Sequence, residues 1–294
     1  MRITGLAKLG VLAAAALAWL GTVAPAGAEP PVWRIHKGGA EVILFGSVHL
    51  LNPGQPWETP RLMGELAQAQ SVWFEIPFDG ASRAGAEALV ARLGKLPKGK
   101  TLTPLLSPVG RARLARVTAA LGVPAAALEP LRPWFAEVTL TVTFLQARGA
   151  TQGAGVEETL AALAPATAQR RAFETPEEQV ALLAGAGQAE QVASLEETLR
   201  QIEDEPAAFD VLQKAWVDGD VAAIVREGVA PMRRATPGLY RRLVVQRNRR
   251  WADRIERLLK TPERAFIVVG VGHLVGPDSV PALLRRRGVA VEGP

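Results

Sequence analysis

The chain contains no cysteine among its 294 residues. That absence excludes disulfide bonds, cysteine metal ligands and a thiol nucleophile, so stability has to come from a hydrophobic core. Histidine occurs three times, and aromatic residues make up only 5% of the chain. After residue 28, no uncharged apolar run approaches the length of a membrane-spanning helix. Histidine is the side chain best suited to bind a metal or move a proton near neutral pH, so its three copies come first.

The first 28 residues have the pattern of a cleavable signal peptide. Arg2 and Lys8 precede an Ala/Leu/Val-rich run at 9–23, and Ala26-Gly27-Ala28 supplies a small-x-small cleavage site. We therefore expect cleavage after Ala28 and a periplasmic or secreted protein without a membrane span after cleavage. Residues 29–294 are predicted to form a single domain.

The formal net charge of +5 reflects many arginines, clustered at 241–257 and 285–287. Such a balance raises the question of nucleic acid or an anionic surface as a partner. The expected export argues against nucleic acid, and acidic residues are interspersed through much of the chain. We interpret the arginines as solvated helix faces and expect no nucleic-acid partner.

The order of apolar patterns predicts an α+β fold. Segments 32–35, 41–46, 71–77 and 265–269 have strand character, and 58–69 has helical spacing. Segment 81–230 is predicted to be almost entirely helical, with 170–175 as a candidate internal strand. Helices are predicted at 238–259 and 278–286, with a short strand at 289–291. We expect a central mixed sheet formed by the N- and C-terminal strands, with a large helical insertion between them.

Two of the histidines end the same tetrapeptide pattern, Gly-x-x-His. The tetrapeptides are Gly46-Ser47-Val48-His49 and Gly270-Val271-Gly272-His273, and each follows an apolar, β-branched run typical of a buried strand. If those strands pair side by side, the two imidazoles lie together. The repetition indicates a site, whereas His36 lacks this context and is interpreted as a surface residue.

Glu75 lies in the strand-like segment 71–77 among apolar neighbours. A buried carboxylate needs a cation or a metal as its partner, because burying it unpaired is costly. The alternative is a residue that faces solvent on the polar side of the strand. Two histidines and one carboxylate are a known ligand set for zinc and other divalent ions, so His49, His273 and Glu75 predict a metal site.

Arg247 adds an independent indication from the predicted helix 238–259. It shares an i, i+4 stripe with the apolar residues Leu243, Trp251 and Ile255. A guanidinium on this apolar face needs an acceptor, and Glu75 and Glu174 are the natural candidates. Asn248 lies on the adjoining stripe. The alternative is an arginine that extends its head along the helix edge to water.

Familiar nucleotide and serine-hydrolase motifs are absent. Val275 occupies the third glycine position of Gly-x-Gly-x-x-Gly after residue 270, and no lysine follows as in a phosphate loop. The chain has no Gly-x-Ser-x-Gly elbow, and Ser47 beside His49 is weak evidence for a nucleophile.

A series of short motifs spans nearly all of residues 29–294 in a fixed order. They are Gly-Ser-Val-His at 46–49, Trp-Phe-Glu at 73–75, Gly-Val-Glu at 155–157, Phe-Glu-Thr with Glu-Gln at 173–179, Trp-x-x-Gly-Asp at 216–220, Arg-Asn with Trp at 247–251, and Gly-Val-Gly-His-Leu at 270–274. Together they resemble the TraB/GumN family, which is related to the Tiki proteins.

The resemblance implies an α+β domain with paired Gly-x-x-His motifs around a shared cleft, and a metal-dependent peptidase or related hydrolase. The implied site residues are His49, Glu75 and His273, with supporting polar residues Glu174, Arg247 and Asn248. Family members often carry Asp at the position of Glu157, and we assign that residue no role.

Our hypothesis is a periplasmic metal-dependent hydrolase that cleaves a peptide or protein substrate. His49 and His273 would bind manganese, cobalt or zinc, with Glu75 as third ligand or general base and Arg247 as an orienting or oxyanion-stabilising group. One alternative is a metal-free hydrolase of the esterase type, with a histidine as the base. The other is an envelope protein that binds a peptide or glycan without catalysis.

Overall fold

The chain folds into a five-stranded mixed sheet with helices inserted between the strands. A computed structural model describes residues 29–151 and 155–294, so the predicted signal peptide lies outside the described residues. The strands are β1 (Val32–Lys37), β2 (Ala40–Ser47), β3 (Ser71–Phe74), β4 (Gln169–Ala172) and β5 (Arg264–Gly270). The α+β class predicted from the sequence is confirmed.

Helices occupy most of the chain between β3 and β5. The α-helices are α1 (Pro60–Ala67), α2 (Gly80–Leu93), α3 (Pro108–Leu121), α4 (Ala125–Leu128), α5 (Pro133–Ala147), α6 (Val156–Leu163), α7 (Pro176–Ala184), α8 (Gln188–Asp204), α9 (Ala208–Val217), α10 (Val221–Ile224), α11 (Ala230–Ala235), α12 (Pro237–Tyr240), α13 (Gln246–Leu258) and α14 (Val280–Arg286). Short 3₁₀ turns lie at Thr103–Leu105 and Val271–His273, and π-helical turns at Val225–Val229 and Arg241–Val245. Over the described ranges, no helix has the length and apolar character needed to cross a membrane.

The strand order is β1-β2-β5-β3-β4, with β1 antiparallel to β2 and all other pairs parallel. The strand nearest the C-terminus therefore lies at the centre of the sheet, between strands from the beginning of the chain. In the β2–β5 pair, Ser47 lies opposite Gly270. Both Gly-x-x-His tetrapeptides consequently leave the sheet at the same edge, as the expected side-by-side pairing requires.

Burial explains why β2 and β5 take the central positions. Both are nearly continuous runs of buried apolar residues, which is typical of parallel strands covered on both faces. β1 closes a hairpin with β2 through a turn at Gly38 and Gly39, whose φ angles are 56° and 85°. The sheet thereby holds the two histidine loops on its most buried strands.

Buried apolar side chains form two clusters. The larger surrounds the sheet and includes Trp33, Phe45, Trp216 and Phe266. The smaller lies within the helical part, where residues of α3, α5 and α8 such as Leu114, Leu140 and Leu199 pack together. A second cluster gives the helices a core of their own beside the sheet.

Some element boundaries differ from the sequence-based expectation. The long helix predicted at 238–259 contains the π-helical turn Arg241–Val245. The strand predicted at 71–77 ends at Phe74, and segment 289–291 is not a strand, because only an isolated bridge joins Glu292 to Arg34. Segment 170–175 contributes to β4, which forms the edge of the sheet.

Candidate functional site

A cleft of about 580 Å³ lies at the carboxyl ends of the central strands, between them and α5. Its walls include His49, Glu75, Arg247 and His273. Ligands of open sheets with parallel strands bind outside these carboxyl ends, where the loops of neighbouring strands meet. The cleft is therefore the first candidate for a functional site.

Close packing of the two histidine loops requires glycine at position 46. A Cβ atom on Gly46 would lie 2.8 Å from Cγ2 of Val271, closer than real Cβ contacts allow. Gly46 also accepts a hydrogen bond at its carbonyl from the indole of Trp216, at 2.7 Å. The first tetrapeptide thus packs closely against Val271 of the second, which leaves no room for a side chain at position 46.

Hydrogen bonds determine the tautomer of His273. Nη1 of Arg247, which can only donate, lies 3.0 Å from Nε2 of His273, so Nε2 is the acceptor. The proton is then on Nδ1, which donates to Oδ1 of Asn248 at 2.6 Å. The amide nitrogen of Asn248 donates in turn to the backbone carbonyls of His273 and Asp278. Asn248 therefore fixes the ring orientation of His273.

The pKa of His273 agrees with this neutral ring. Burial, together with the charges of Arg247 and His49, lowers the pKa of His273 to about 3, although the charge of Glu75 opposes the shift. The side chain also packs against Trp251, with ring centroids 4.5 Å apart. His273 is consequently uncharged at neutral pH.

Arg247 joins two buried carboxylates. Its Nη2 lies 2.6 Å from Oε2 of Glu75 and 2.8 Å from Oε2 of Glu174, and its Nε donates to both oxygens of Glu174. The guanidinium also stacks on Trp251, with Cζ 4.6 Å from the ring centroid. Arg247 is only 6% exposed, so the sequence-based expectation of a buried arginine paired with Glu75 and Glu174 agrees with the geometry.

Glu75 is buried and held in its ionised form. Besides Arg247, it accepts hydrogen bonds from Nε2 of Gln179 and from the backbone amide of Gly270, each at 2.8 Å. Burial would raise the pKa of Glu75, but the charges of His273, Arg247 and His49 and the Gly270 amide lower it to about 2. Because His273 is neutral at neutral pH, we assign the main effect there to Arg247. Glu75 is therefore ionised at neutral pH and lines the cleft.

His49 differs from His273 in exposure and charge. Its side chain is 73% exposed at the cleft, and Nδ1 lies 2.7 Å from Oε1 of Glu157. The Ser47 hydroxyl donates to the same carboxylate oxygen. The charge of Glu157 raises the pKa of His49 to about 9. His49 is therefore a cation at neutral pH in this arrangement, with its Nε2 side toward the cleft.

A second close approach explains how Glu157 reaches His49. A Cβ atom on Gly155 would lie 2.7 Å from the carbonyl oxygen of His49. The amide of Val156 donates to the carbonyl of Val48 at 3.3 Å, which anchors the start of α6 on the first histidine loop. Glu157 lies in the first turn of α6, where the helix dipole favours a negative charge.

The family model of the TraB/PrgY/gumN family matches residues 31–293, nearly the whole chain. The chain belongs to the TraB/PrgY/gumN family. No curated protein and no solved structure matches it. The family resemblance inferred from the ordered short motifs is thereby confirmed.

In this TraB/PrgY/gumN family member, five of the six site residues selected from the sequence form one contact network, and His49 lines the same cleft beside them. His49, Glu75, Arg247 and His273 line the cleft, while Glu174 and Asn248 lie behind it and contact Arg247 and His273. Glu157 and Gln179 are not among the site residues predicted from the sequence, although both lie in the quoted motifs. The burial of Glu157 at the start of α6 becomes visible only in the structure.

Two arrangements bear on metal binding. Both imidazoles have Nδ1 directed at an oxygen acceptor, Glu157 for His49 and Asn248 for His273. This pattern is typical of metal-binding histidines, whose second nitrogen is held by an oxygen acceptor. Within residues 29–151 and 155–294, however, no three or more His, Asp or Glu side chains are grouped as a metal-binding set.

Proposed function

We propose that this protein is a hydrolase of peptide or protein substrates that uses a divalent ion bound between His49 and His273. The observation that carries the proposal is the orientation of both rings through Nδ1. Each ring thereby keeps Nε2 as the nitrogen for ligation. Manganese, cobalt and zinc are the candidate ions, because imidazole and carboxylate ligands suit them.

The orientation of the two imidazole rings suits ligation of a divalent ion, but the hydrogen bond between Arg247 and His273 has to be broken first. Nη1 of Arg247 lies 3.0 Å from Nε2 of His273, at the lone pair that a metal ligand needs. Ligation also requires His49 to lose its proton, so metal binding is expected to release a proton at neutral pH. Arg247 has other acceptors in Glu75 and Glu174, so it can release His273 without losing its partners.

Glu75 and Arg247 would have different roles beside a bound ion. A bound divalent ion supplies polarisation of a carbonyl and a more acidic water. Glu75, with a pKa of about 2, is too acidic for an efficient general base and is better suited as a ligand. Arg247 carries a positive charge at the cleft, where it can stabilise a developing oxyanion or orient a substrate carboxylate.

A metal-free hydrolase is the second candidate, favoured by the His49–Glu157 contact. A carboxylate at Nδ1 with Nε2 toward the cleft is the arrangement of a histidine that transfers protons. With a pKa of about 9, His49 would act as a general acid at neutral pH. Arg247 would supply the fixed positive charge in this mechanism.

Metal content measured by elemental analysis separates the two candidates. The parent is compared with His49→Ala and His273→Ala, and with His36→Ala as a matched control, because His36 is exposed on β1. The proposal predicts stoichiometric metal in the parent and control, and loss in both site variants. No metal after incubation with manganese, cobalt and zinc would overturn it.

Cleavage of a defined peptide mixture is the accompanying activity test. The proposal predicts products that disappear with a chelator and return when metal is added back. Products that persist in chelator would support the metal-free hydrolase. Peptide binding without products would identify a non-catalytic binding protein instead.

The proposal includes export to the periplasm or the exterior, which rests on the signal-like pattern of residues 1–28. Sequencing the N-terminus of the protein recovered from an exporting bacterial host tests it. A new N-terminus at Glu29 is expected, and an uncleaved chain in the cytoplasm would contradict it.

A further inference from the structure

A cavity of about 270 Å³, which we call the side cavity, adjoins the cleft beside α5. Glu137 and Val138 line both the side cavity and the cleft, so the two spaces share a wall on α5. Helix α8 and the segment from α11 to Leu243 form most of its other walls. The volume lies below the range of cavities for drug-sized ligands, so it suits a single side chain.

An open groove of about 880 Å³ continues from the cleft along α5, α8 and α9. Thr141, Leu145 and Phe209 line both the groove and the cleft, as Glu137 does. Cleft and groove therefore form one path over α5, with Glu137 at its junction with the side cavity. A chain that lies in this path passes Glu137 and continues beyond it.

The charges around the side cavity are unbalanced. Among the described residues, its wall holds the carboxylates of Glu137, Glu197 and Glu227 but no lysine or arginine. Glu197 is paired with Arg200 at 2.8 Å. Glu227 is paired with Arg226 at 2.6 Å, and both arginines lie in the wall of the groove. In the described ranges, no cationic side chain lies within ion-pair distance of Glu137, whose partners are two hydroxyls.

One carboxylate oxygen of Glu137 is held by α8 and the other is open. Oε1 accepts hydrogen bonds from the hydroxyls of Ser194 and Thr198, at 2.8 and 3.0 Å. Oε2 has no donor among the described residues, and it is not one of the buried atoms that lack both a partner and contact with solvent. Oε2 therefore faces open space at the junction. Burial raises the pKa of Glu137 although the hydroxyls oppose the shift, so a cation at Oε2 would stabilise the ionised form.

The remaining wall of the side cavity suits the methylene chain of a long cationic side chain. Its apolar members are Trp134, Leu183, Met232, Leu239 and Leu243. Lysine and arginine bury their methylene groups along such surfaces and place the charged end at a polar group. Only one carboxylate of the wall is left without a cation, which matches a single organic cation better than a divalent metal ion with its many oxygen ligands.

Glu137 is separate from the reacting groups of the cleft. The main charges that shift the pKa values of His49, Glu75 and His273 do not include the charge of Glu137. Because Coulomb interactions weaken with distance, this carboxylate is placed to recognise a substrate residue away from the cleaved bond.

We propose that the side cavity binds a lysine or arginine side chain of an extended peptide substrate, with Glu137 as the partner of its cationic end. The inference rests on the proposed hydrolase function and specifies its substrate class. The substrate main chain lies in the cleft and the groove, and the cationic side chain leaves it at Glu137. A chain terminus fits less well at this point, because the groove continues beyond Glu137.

Binding of labelled peptides in chelator tests the side cavity without relying on turnover. The peptides have Gly-Ser flanks and a central lysine, norleucine or glycine, and fluorescence anisotropy gives each Kd. The parent should bind the lysine peptide at least about tenfold more tightly than the norleucine peptide, which has the same methylene chain without the charge. If mass spectrometry shows cleavage in chelator, the ratios of kcat/KM replace the ratios of Kd.

Glu137→Gln is the deciding variant, because glutamine still offers an acceptor to the two α8 hydroxyls but has no charge. The lysine-to-norleucine ratio should fall towards one, with norleucine bound as by the parent. Glu197→Gln is the matched control in the same wall and should keep the ratio, since Glu197 is already paired with Arg200, which retains Glu205. An unchanged ratio in Glu137→Gln, or an equal loss in both variants, would overturn the assignment.

Met232→Trp is a second variant that leaves Glu137 intact and narrows the side cavity from α11. It should reduce the preference for lysine over glycine at least about tenfold, while binding of the glycine peptide stays the same. A lysine-to-glycine ratio equal to that of the parent would show that the side chain binds elsewhere.

Binding and cleavage together separate failure of the side cavity from failure of the hydrolase. A lysine preference that depends on Glu137, without products at any metal, would support the side cavity and refute the hydrolase. Cleavage without a lysine preference would do the reverse. No binding of the lysine peptide by the parent would refute the side cavity whatever the activity.

Discussion

Arg247 is the residue on which the charge balance of the site depends. It is buried and contacts Glu75, Glu174 and His273 at once. Removing one partner of a buried ion pair leaves an uncompensated charge, which is more damaging than removing both. A neutral residue at 247 leaves two carboxylates without their cation, whereas a neutral residue in place of Glu75 or Glu174 leaves Arg247 paired with the other carboxylate. We therefore expect substitution of either carboxylate to be tolerated better than substitution of Arg247.

Arg247→Met is expected to lower the free energy of unfolding by about 3–5 kcal/mol, because Glu75 and Glu174 lose their shared cation. Arg249→Met is the matched control, since Arg249 is exposed on the same helix and should change stability by no more than about 0.5 kcal/mol. Chemical denaturation measures both. Equal stability of the two variants would show that the carboxylates do not need Arg247.

The neutral state of His273 predicts acid sensitivity of the metal-free protein. Its folded pKa of about 3 lies below the ordinary value of 6.5, so the unfolded chain binds the proton first. The contribution of neutral His273 to the free energy of unfolding is fully present above pH 6.5 and is lost as the pH falls towards 3. Because one proton is involved, the free energy of unfolding changes by at most about 1.4 kcal/mol per pH unit.

Chemical denaturation in chelator between pH 4.5 and 6.5 measures the effect of His273 on the free energy of unfolding. Protonation of Glu75 affects that free energy mainly below pH 4.5, its ordinary pKa. Subtracting the curve of His273→Gln isolates His273. A parent and variant with parallel curves would contradict the neutral, buried imidazole.

Among the elements, the short helix α6 positions the carboxylate that pairs with His49. Its start is held against the first histidine loop, and its first turn carries Glu157. The element therefore sets the protonation of His49 from outside the sheet. Its position depends on the close approach at Gly155.

Gly155→Ala is expected to displace the start of α6, because the new Cβ would lie 2.7 Å from the His49 carbonyl. The pKa of His49 should then fall from about 9 towards 6.5, as measured by NMR titration of the imidazole. Gly187→Ala is the matched control, since Gly187 is also a helix N-cap and has open space around it. A His49 pKa that stays near 9 in Gly155→Ala would refute the dependence on α6.

The sequence predicted those elements and contacts whose physical signal is local. Buried β-branched runs identified β2 and β5, and the stripe on α13 placed Arg247 on a buried face. Pairing of Arg247 with Glu75 and Glu174 followed from the need of buried charges for partners. The repeated tetrapeptide predicted that His49 and His273 approach one cleft.

Features that depend on distant packing were not predictable in this way. The contact between Glu157 and His49 depends on how α6 packs, and nothing in the local sequence around either residue specifies it. The π-helical turn Arg241–Val245 keeps the apolar spacing close enough to helical for periodicity to miss it. The early end of β3 has the same origin, since Glu75 leaves the strand to meet partners from other elements.

At the scale of the molecule, the cleft lies between elements with different cores. The sheet cluster holds the histidine loops, while α5, whose inner side belongs to the helical cluster, supplies the opposite wall. Separate cores permit one part to open without the other. The geometry of the cleft thus depends on both.

Leu140→Ala, in the helical cluster, is expected to lower stability by about 2–5 kcal/mol, since Leu140 is fully buried. Hydrogen exchange should accelerate in α3, α5 and α8 while amides of β2 and β5 remain protected. Leu66→Ala, in the sheet cluster, should have the reverse pattern. Uniform acceleration in both variants would mean that the two clusters unfold as one unit.

The strand order also determines when the site comes into existence. β5 lies between β2 and β3, yet it is synthesised after every other strand. Until it is inserted, β2 and β3 have no common neighbour, Glu75 lacks the Gly270 amide, and His273 is absent from the cleft. A growing chain therefore carries only separated fragments of the site. A chain that stops before β5 lacks His273 and the Gly270 amide and so cannot form the candidate site.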